Sequence, residues 1–309
     1  MILLYTKESD DFINKVINWL EVDFIRIGER DPVEILNFIL NENRLEINIK
    51  TPFIQNELSD QVLGLWINGG NLKSGNNLIE NKYTNFIFES YLKSLNVKNK
   101  IGRLISKFEI NKLDVQIQAK ALGIKTPKTL ITSSKKELEE FIIINGNGVI
   151  CKRLTDETYY ETKDHIYDMI FSFPIEEGML HKIPDQFMLS LFQEKLNIHF
   201  EIRSVFLNGK FYSASIHSSK RYTDYRLELN KHPENIRIIP YSLPKYIVNK
   251  LEKLMAILNL NYASIDLIYS GTAYYLLEIN PTGQINFINE TCNFYLEKEF
   301  AEFLNSREK

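Results

Sequence analysis

Near the end of the chain, three oxygen-bearing side chains stand where two neighbouring strands would present them together. Asp266 lies within Ala263-Ser264-Ile265-Asp266-Leu267-Ile268, and Leu276-Leu277-Glu278-Ile279-Asn280-Pro281 follows a short turn at Gly271. Alternate residues of a strand share a face, so Glu278 and Asn280 project together. A hairpin about Gly271 brings that pair beside Asp266. Two carboxylates and an amide oxygen suit Mg2+, which takes oxygen ligands and usually keeps water and substrate phosphates in its shell. An acid embedded in an apolar strand is costly unless a cation or hydrogen bonds satisfy it. The alternative is a solvent-facing hairpin carrying ordinary surface acids.

Further charges have the spacing to meet a nucleotide. Lys152 sits in the short strand Ile150-Cys151-Lys152, and Lys112 opens a helix. A lysine is a compact point charge for a phosphate, although an edge-strand or solvated lysine reads the same way in sequence. Glu201 and Arg203 alternate with Ile202, so both charges share one face and could hold a sugar hydroxyl and a phosphate. As an exposed ion pair they would contribute only about 0–1 kcal/mol. Gln193-Glu194-Lys195-Leu196 follows Phe192 as a hinge between lobes, a natural slot for a purine base. Asp224-Tyr225-Arg226 adds another arginine before the polar turn through Pro233. The five histidines have no metal-ligand spacing, and no Gly-rich phosphate loop or nucleophile elbow occurs.

The elements that must position these groups alternate in type. Ile2 to Tyr5 reads as a strand, Asp10 to Leu20 as an amphipathic helix and Val22 to Ile27 as a second strand, a βαβ opening with parallel strands. Leu45 to Ile49 and Gln61 to Ile67 give further strands, and Asn81 to Leu95 gives a helix. The next helix, Leu113 to Leu122, carries Leu113, Ile117 and Ala121 on one stripe and ends at Gly123. Thr129 to Thr132, a helix from Lys135 to Ile143, and strands Val149 to Arg153 and Gln186 to Phe192 follow. Glu201 to Leu207 and Lys210 to Ser215 form a hairpin at Asn208-Gly209. The helix Pro244 to Leu258, the acid-bearing hairpin and a final helix Asn293 to Leu304 complete the chain. The fold class expected is α/β in three parts: residues 1–110, 111–192 and 193–309.

With 309 residues, 44% hydrophobic and 25% charged, the chain has the composition of a soluble globular protein with room for several cores. A net charge of −3 gives no reason to expect nucleic acid or an anionic membrane as partner. Two distant cysteines, Cys151 and Cys292, match no zinc or redox spacing and point to a reduced, cytoplasmic setting. The N-terminal apolar run is too short for a signal peptide, and no stretch approaches the length of a membrane span.

These parts in this order resemble the ATP-grasp superfamily. The likeness runs through Asn111-Lys112, Lys152, Gln193-Glu194-Lys195-Leu196, Glu201-x-Arg203, Asp266 and Glu278-x-Asn280, about two-thirds of the chain. It implies a three-lobed fold with ATP clamped between the central and C-terminal lobes. Lys112 and Lys152 would contact phosphates, the hinge backbone would bond adenine and Glu201 would hold the ribose. Asp266, Glu278 and Asn280 would hold two Mg2+ ions, and Arg203 would stabilise the transferred phosphoryl group.

A narrower likeness joins Phe200-Glu201-Ile202-Arg203-Ser204-Val205-Phe206-Leu207-Asn208-Gly209-Lys210 and Leu277-Glu278-Ile279-Asn280-Pro281-Thr282-Gly283-Gln284 to the ATP-grasp peptide maturases, the microviridin-type and "grasp-with-spasm" ligases. It implies ω-ester or ω-amide rings closed between Asp or Glu and Thr, Ser or Lys side chains of a ribosomal precursor peptide, and it allows for a homodimer. Arg203 and Arg226 would stabilise the tetrahedral intermediate; the sequence identifies no general base, and Asp224 is only a candidate for it. Read from its own residues, the segment Thr155 to Asp185 either packs as plain core or, with Ile166, Ile170 and Phe173 on one helical stripe, offers an apolar groove for the leader. Two departures stand out: Trp66-Ile67-Asn68-Gly69-Gly70 lies where an aromatic followed by paired arginines is expected, and Thr155 to Glu161 is not Gly-rich. The other functions weighed are a ligase adding a free amino acid to a protein or peptide, and an idle ATP-grasp-like binding protein.

Overall fold

The computed structural model describes the chain except residues 8–9, 29–31, 43, 53–54, 60, 71, 73–77, 107–108, 147, 155–158, 162–165, 169–171, 220–231 and 307–309. The N-terminal part opens as its alternation requires: β1 (Ile2–Thr6), α1 (Asp11–Ile17) and β2 (Phe24–Gly28). It continues with β3 (Glu34–Asn41), β4 (Arg44–Lys50), β5 (Gln55–Ser59), β6 (Gly64–Asn68), α2 (Leu78–Ser94) and β7 (Asn99–Ile101). Strands β2-β1-β6-β7 form one parallel sheet, and β3-β4-β5 an antiparallel one. All five residues of β1 and all five of β6 are buried, as expected for parallel strands covered on both faces. Leu3 and Tyr5 face α2 and the antiparallel sheet, while Ile2 and Leu4 face the C-terminal helices.

The central part holds α3 (Lys112–Ala121), β8 (Thr129–Ser134), α4 (Lys135–Ile144), β9 (Val149–Lys152), β10 (Tyr159–Glu161), β11 (Ile166–Asp168), β12 (Phe173–Pro174), α5 (Glu177–Leu180) and β13 (Gln186–Glu194). Four of its strands make a sheet in the order β12-β9-β13-β8. Asn111 caps α3 by accepting the N–H groups of Leu113 (3.1 Å) and Asp114 (3.0 Å), which satisfies two of its free donors. The expected stripe of this helix is corrected. Ile117 is 62% exposed, and Val115 and Ala119 are the pair that packs inward. Both stripes have i,i+4 spacing, and α3 turns the second one onto the C-terminal core.

That last part comprises β14 (Phe200–Leu207), β15 (Lys210–Ser218), β16 (Ile236–Tyr241), α6 (Lys245–Ile257), β17 (Tyr262–Tyr269), β18 (Tyr274–Asn280), α7 (Asn286–Cys292) and α8 (Leu296–Asn305). Its sheet runs β16-β15-β14-β17-β18, antiparallel throughout. Asn208 (φ 43°) and Gly209 (φ 87°) make the expected left-handed hairpin turn. One face, through Ile202, Phe206, Ile265 and Leu276, packs on α3 and α6. The other shares a core with the N-terminal part, where Trp66 stacks against Phe300 at 5.0 Å. The final helix expected over Asn293 to Leu304 is α8, which begins only at Leu296 because Asn293 (φ 51°) and Tyr295 (φ 53°) are left-handed; α7, before that break, was not expected. Among the described residues no helix is long and apolar enough to cross a membrane.

Candidate active site

The C-terminal register brings the charged residues into one row. Arg203 lies opposite Asp266, and Asp266 lies opposite Glu278. Directly opposed residues point to the same face, so these three side chains stand together, away from the Ile202–Ile265 core. The row depends on a bulge. Leu267 pairs with Leu276 while Asp266 pairs with Glu278, which leaves Leu277 as the extra residue of β18. Strict alternation from buried Leu276 would turn Glu278 into the α3–α6 core; the bulge re-aims it onto the Asp266 face.

Arg203 is 5% exposed, and its guanidinium is held at two points. Nη1 donates to Asp266 Oδ1 (2.6 Å) and Nη2 donates to the Gln284 carbonyl (2.7 Å). The loop that supplies this carbonyl needs Gly283. A Cβ there would come within 1.8 Å of Ser264 Oγ and 3.0 Å of Arg203 Nη2. At the far end of the row, Lys112 Nζ lies 3.7 Å from Glu278 Oε2. Lys112 comes from the first turn of α3, so the Asn111 cap and the Val115–Ala119 packing together set where its ammonium sits.

Asn280 is opposite Ser264, one alternate position beyond Glu278 on the same face, and its Oδ1 accepts the Thr282 N–H (3.2 Å). Among the described residues no three His, Cys, Asp or Glu side chains converge as a metal cage. The donor set is two carboxylates and one amide oxygen. That set fits Mg2+, which would complete its shell with water and phosphate, and it fits a zinc-type site poorly.

The other residues singled out in the sequence lie on the central sheet and the adjoining strand. Lys152 pairs with Leu191, and Ile150 with Gln193; these side chains face away from the small core of Leu138, Val149 and Phe192. Gln193 is buried and donates from Nε2 to Thr129 Oγ1 (2.9 Å). Glu194 accepts the Lys128 N–H (2.9 Å), and the Lys195 N–H donates to the Gly148 carbonyl (2.9 Å). These side chains therefore hold the hinge itself. The Leu196 N–H has no intrachain acceptor among the described residues. Glu201 shares the Arg203 face, two positions earlier on β14. Burial pushes the Cys151 thiol up to about 11, so it behaves as a neutral packing group.

Asp224 and Arg226 lie outside the described residues, as do 155–158, 162–165 and 169–171 of the expected leader-binding segment. The helical stripe expected there is corrected: Ile166–Asp168 is a strand paired antiparallel with Tyr159–Glu161, and Phe173–Pro174 pairs with β9. Aromatic and β-branched residues at Tyr159-Tyr160 and Ile166-Tyr167 suit a hairpin better than a helix. The sequence patterns did not single out Gln284, whose contribution is a backbone carbonyl, nor Asp10, which caps α1, nor Asn68, which closes β6. An acid just ahead of a helix and an asparagine closing an apolar strand before Gly69-Gly70 were the available signals for the last two.

No family model and no curated protein sequence matches the chain. Solved structures do. A Chryseobacterium gregarium RiPP-associated ATP-grasp ligase, solved with ADP and a leader and core peptide, matches with a TM-score of 0.82 at 21% identity, covering 100% of this chain and 97% of that one. The macrocyclase MdnC of Microcystis aeruginosa MRC, bound to precursor peptide MdnA, matches at 0.78 and 22% identity over 98% and 99% of the two chains. D-alanine–D-alanine ligase from Bacillus anthracis matches at 0.54 with 13% identity over 98% and 96%. The fold implied by the motifs is the fold found: from end to end, this chain has the ATP-grasp fold.

Proposed function

We propose that the chain is an ADP-forming ligase that closes rings in a ribosomally made precursor peptide. The observation that carries this reading is the row Arg203–Asp266–Glu278, with Lys112 at its end, on the face of the sheet opposite the α3–α6 core. The fold likeness adds support, because solved structures with leader, core or precursor peptides match this chain along its whole length.

A carboxylate is a poor electrophile, so the reaction needs two steps. A core Asp or Glu carboxylate attacks the γ-phosphorus of ATP, giving an acyl phosphate and ADP. A Ser or Thr hydroxyl or a Lys amine then displaces phosphate, and the peptide loses one water for each bond closed. Lys152 and Lys112 offset triphosphate charge, the hinge backbone at Leu196 meets adenine and Glu201 takes the ribose. Asp266, Glu278 and Asn280 would hold magnesium, as one ion or two, and when bound the metal would offset charge on the phosphates.

Arg203 is fixed by Asp266 and Gln284, so its charge is already in place as negative charge develops on the phosphoryl group and then on the tetrahedral intermediate. Arg226 and Asp224 are assigned supporting roles at that second step. Leader recognition belongs to the segment 155–185 of the central part. Closure of the lobes over this face would keep water from the acyl phosphate.

The test is to incubate the protein with ATP, Mg2+ and its precursor peptide and weigh the product. Ring closure gives a peptide lighter by one water per bond, with matching ADP. A peptide heavier by an added amino acid would support the free-amino-acid ligase instead, and ADP formed without any peptide change would contradict both.

A further inference from the structure

One polar cluster lies outside the row just described. Asp10 follows β1 and caps α1, and Asn68 closes β6, the neighbour of β1 in the parallel sheet. The crevice beyond the carboxyl ends of adjacent parallel strands is where open α/β sheets receive ligands. Asp10 accepts the Phe12 N–H on Oδ1 (3.0 Å) and the Asn68 Nδ2–H on Oδ2 (2.6 Å). Asn68 is 3% exposed, and its Oδ1 is buried with no hydrogen-bond partner among the described residues. A buried acceptor without a donor is costly to leave so. The two residues therefore present a carboxylate and a carbonyl oxygen, which ask for an O–H or N–H group and repel phosphate or carboxylate.

This cluster and the row approach the same turn from opposite parts of the molecule. Lys15 of α1 donates to Asn286 Oδ1 (3.1 Å), which seats α1 beside the residues that follow Gln284. The buried Tyr262 hydroxyl donates to the Gly283 carbonyl (3.3 Å), and the charges of Asp10 and Arg203 both act on it. Burial also holds the Asp10 carboxyl above its ordinary range, against the Phe12 and Ile13 N–H groups, the charge of Arg26 and the Asn68 amide. A carboxylate so placed is a stronger proton acceptor than one in water.

We propose that Asp10 and Asn68 seat the nucleophile of the core peptide, a hydroxyl or amine, with Asp10 accepting its proton as it attacks. This rests on the ring-closing reading and names the residues for its second step. The nucleophile's oxygen or nitrogen bonds to the acyl carbon, and the bond from that carbon to the phosphate oxygen breaks. The electron pair leaves with phosphate, and the proton passes through Asp10 to give hydrogen phosphate. An amine that arrives as an ammonium first releases its extra proton to solvent.

The experiment separates the two steps by trapping the acyl phosphate with hydroxylamine, which yields a core-peptide hydroxamate without using the peptide nucleophile. Asp10→Asn keeps a side-chain oxygen to cap α1. It should give hydroxamate within about twofold of the parent while ring closure falls by about 100-fold or more. Asn68→Val, which keeps the strand and removes the acceptor, should show the same split at about tenfold or more. Core peptides offering only Ser/Thr or only Lys as nucleophile tell which donor the seat takes. Parent-like ring closure in either folded variant, or equal loss of hydroxamate and rings, overturns the proposal. A parent enzyme that forms neither product would instead refute the ring-closing reading.

Discussion

In the C-terminal sheet β14 and β17 pair without a break from Phe200↔Tyr269 to Leu207↔Tyr262. In the central sheet, among the described residues, β9 meets β13 only from Leu191↔Lys152 to Glu194↔Val149, and meets β12 only through Phe173 and Pro174. The difference bears on how each sheet carries charge. Arg203 sits inside a long ladder, almost fully desolvated, so its partners are part of the fold as well as of the proposed chemistry. Lys152 ends a short strand and is only half-buried, so its charge can be removed at little structural cost. Mutations in the two sheets should therefore separate: stability and activity fall together in one, and affinity alone falls in the other.

The largest effect is expected at the row. Asp266→Ala leaves the Arg203 guanidinium buried beside a vacated partner, a loss of about 3–5 kcal/mol that a thermal or urea melt will register, together with loss of ADP formation. Glu278→Gln is the sharper probe. Its partner Lys112 is 20% exposed and farther away, so the melt should stay near the parent's while peptide-dependent ADP formation drops by about 10²–10³-fold. Parent-like turnover would remove Glu278 from the proposed magnesium ligands.

Arg203→Lys should lie between. Lysine keeps the charge but cannot span both Asp266 Oδ1 and the Gln284 carbonyl in the fixed fork. Turnover should fall about tenfold or more with a modest loss of melting temperature, and an unchanged rate would mean that charge alone suffices. In the central sheet, Lys152→Ala should weaken binding of a non-hydrolysable ATP analogue by about 1.5–3 kcal/mol in calorimetric titration and leave the melt in place. Loss of folding there would erase the contrast between the two sheets.

The smallest effect is a pH-dependent one. Lys210 and the Tyr212 hydroxyl hold the Glu299 carboxyl below the ordinary glutamate range. A depressed folded value contributes stability above the unfolded pKa and loses it as pH falls through the folded one. Glu299→Gln should therefore cost up to about 1 kcal/mol at neutral pH and progressively less in acid, because Lys210 is exposed. A penalty that persists unchanged in acid would mean that packing, not charge, holds this contact.

How far the sequence foretold this site depended on which residue was asked about. Period-two alternation was enough to put Glu278 and Asn280 on one face, and the left-handed pair Asn208-Gly209 was enough to fix the β14–β15 register. Nothing in Leu276-Leu277 revealed which of the two would bulge, yet that choice decides whether Glu278 faces Asp266 or the core. The α3 stripe failed because Leu113–Ile117–Ala121 and Val115–Ala119 are both apolar stripes at helical spacing, and only the position of the C-terminal sheet selects between them. The break between α7 and α8 rests on left-handed backbone at Asn293 and Tyr295, a conformation for which Tyr gives no warning. Strand β3 was missed because its own bulge between Ile35 and Asn37 disrupts the alternation.

Ring closure as proposed requires the row on β14, β17 and β18 to pass a phosphoryl group to a peptide carboxylate. The most direct measurement uses a precursor peptide whose Asp and Glu carboxylates carry heavy oxygen. Incubated with ATP and Mg2+, it should transfer one labelled oxygen to the released inorganic phosphate for each ring closed, because the acyl phosphate breaks between carbon and that oxygen. Rings formed with unlabelled phosphate would contradict the account.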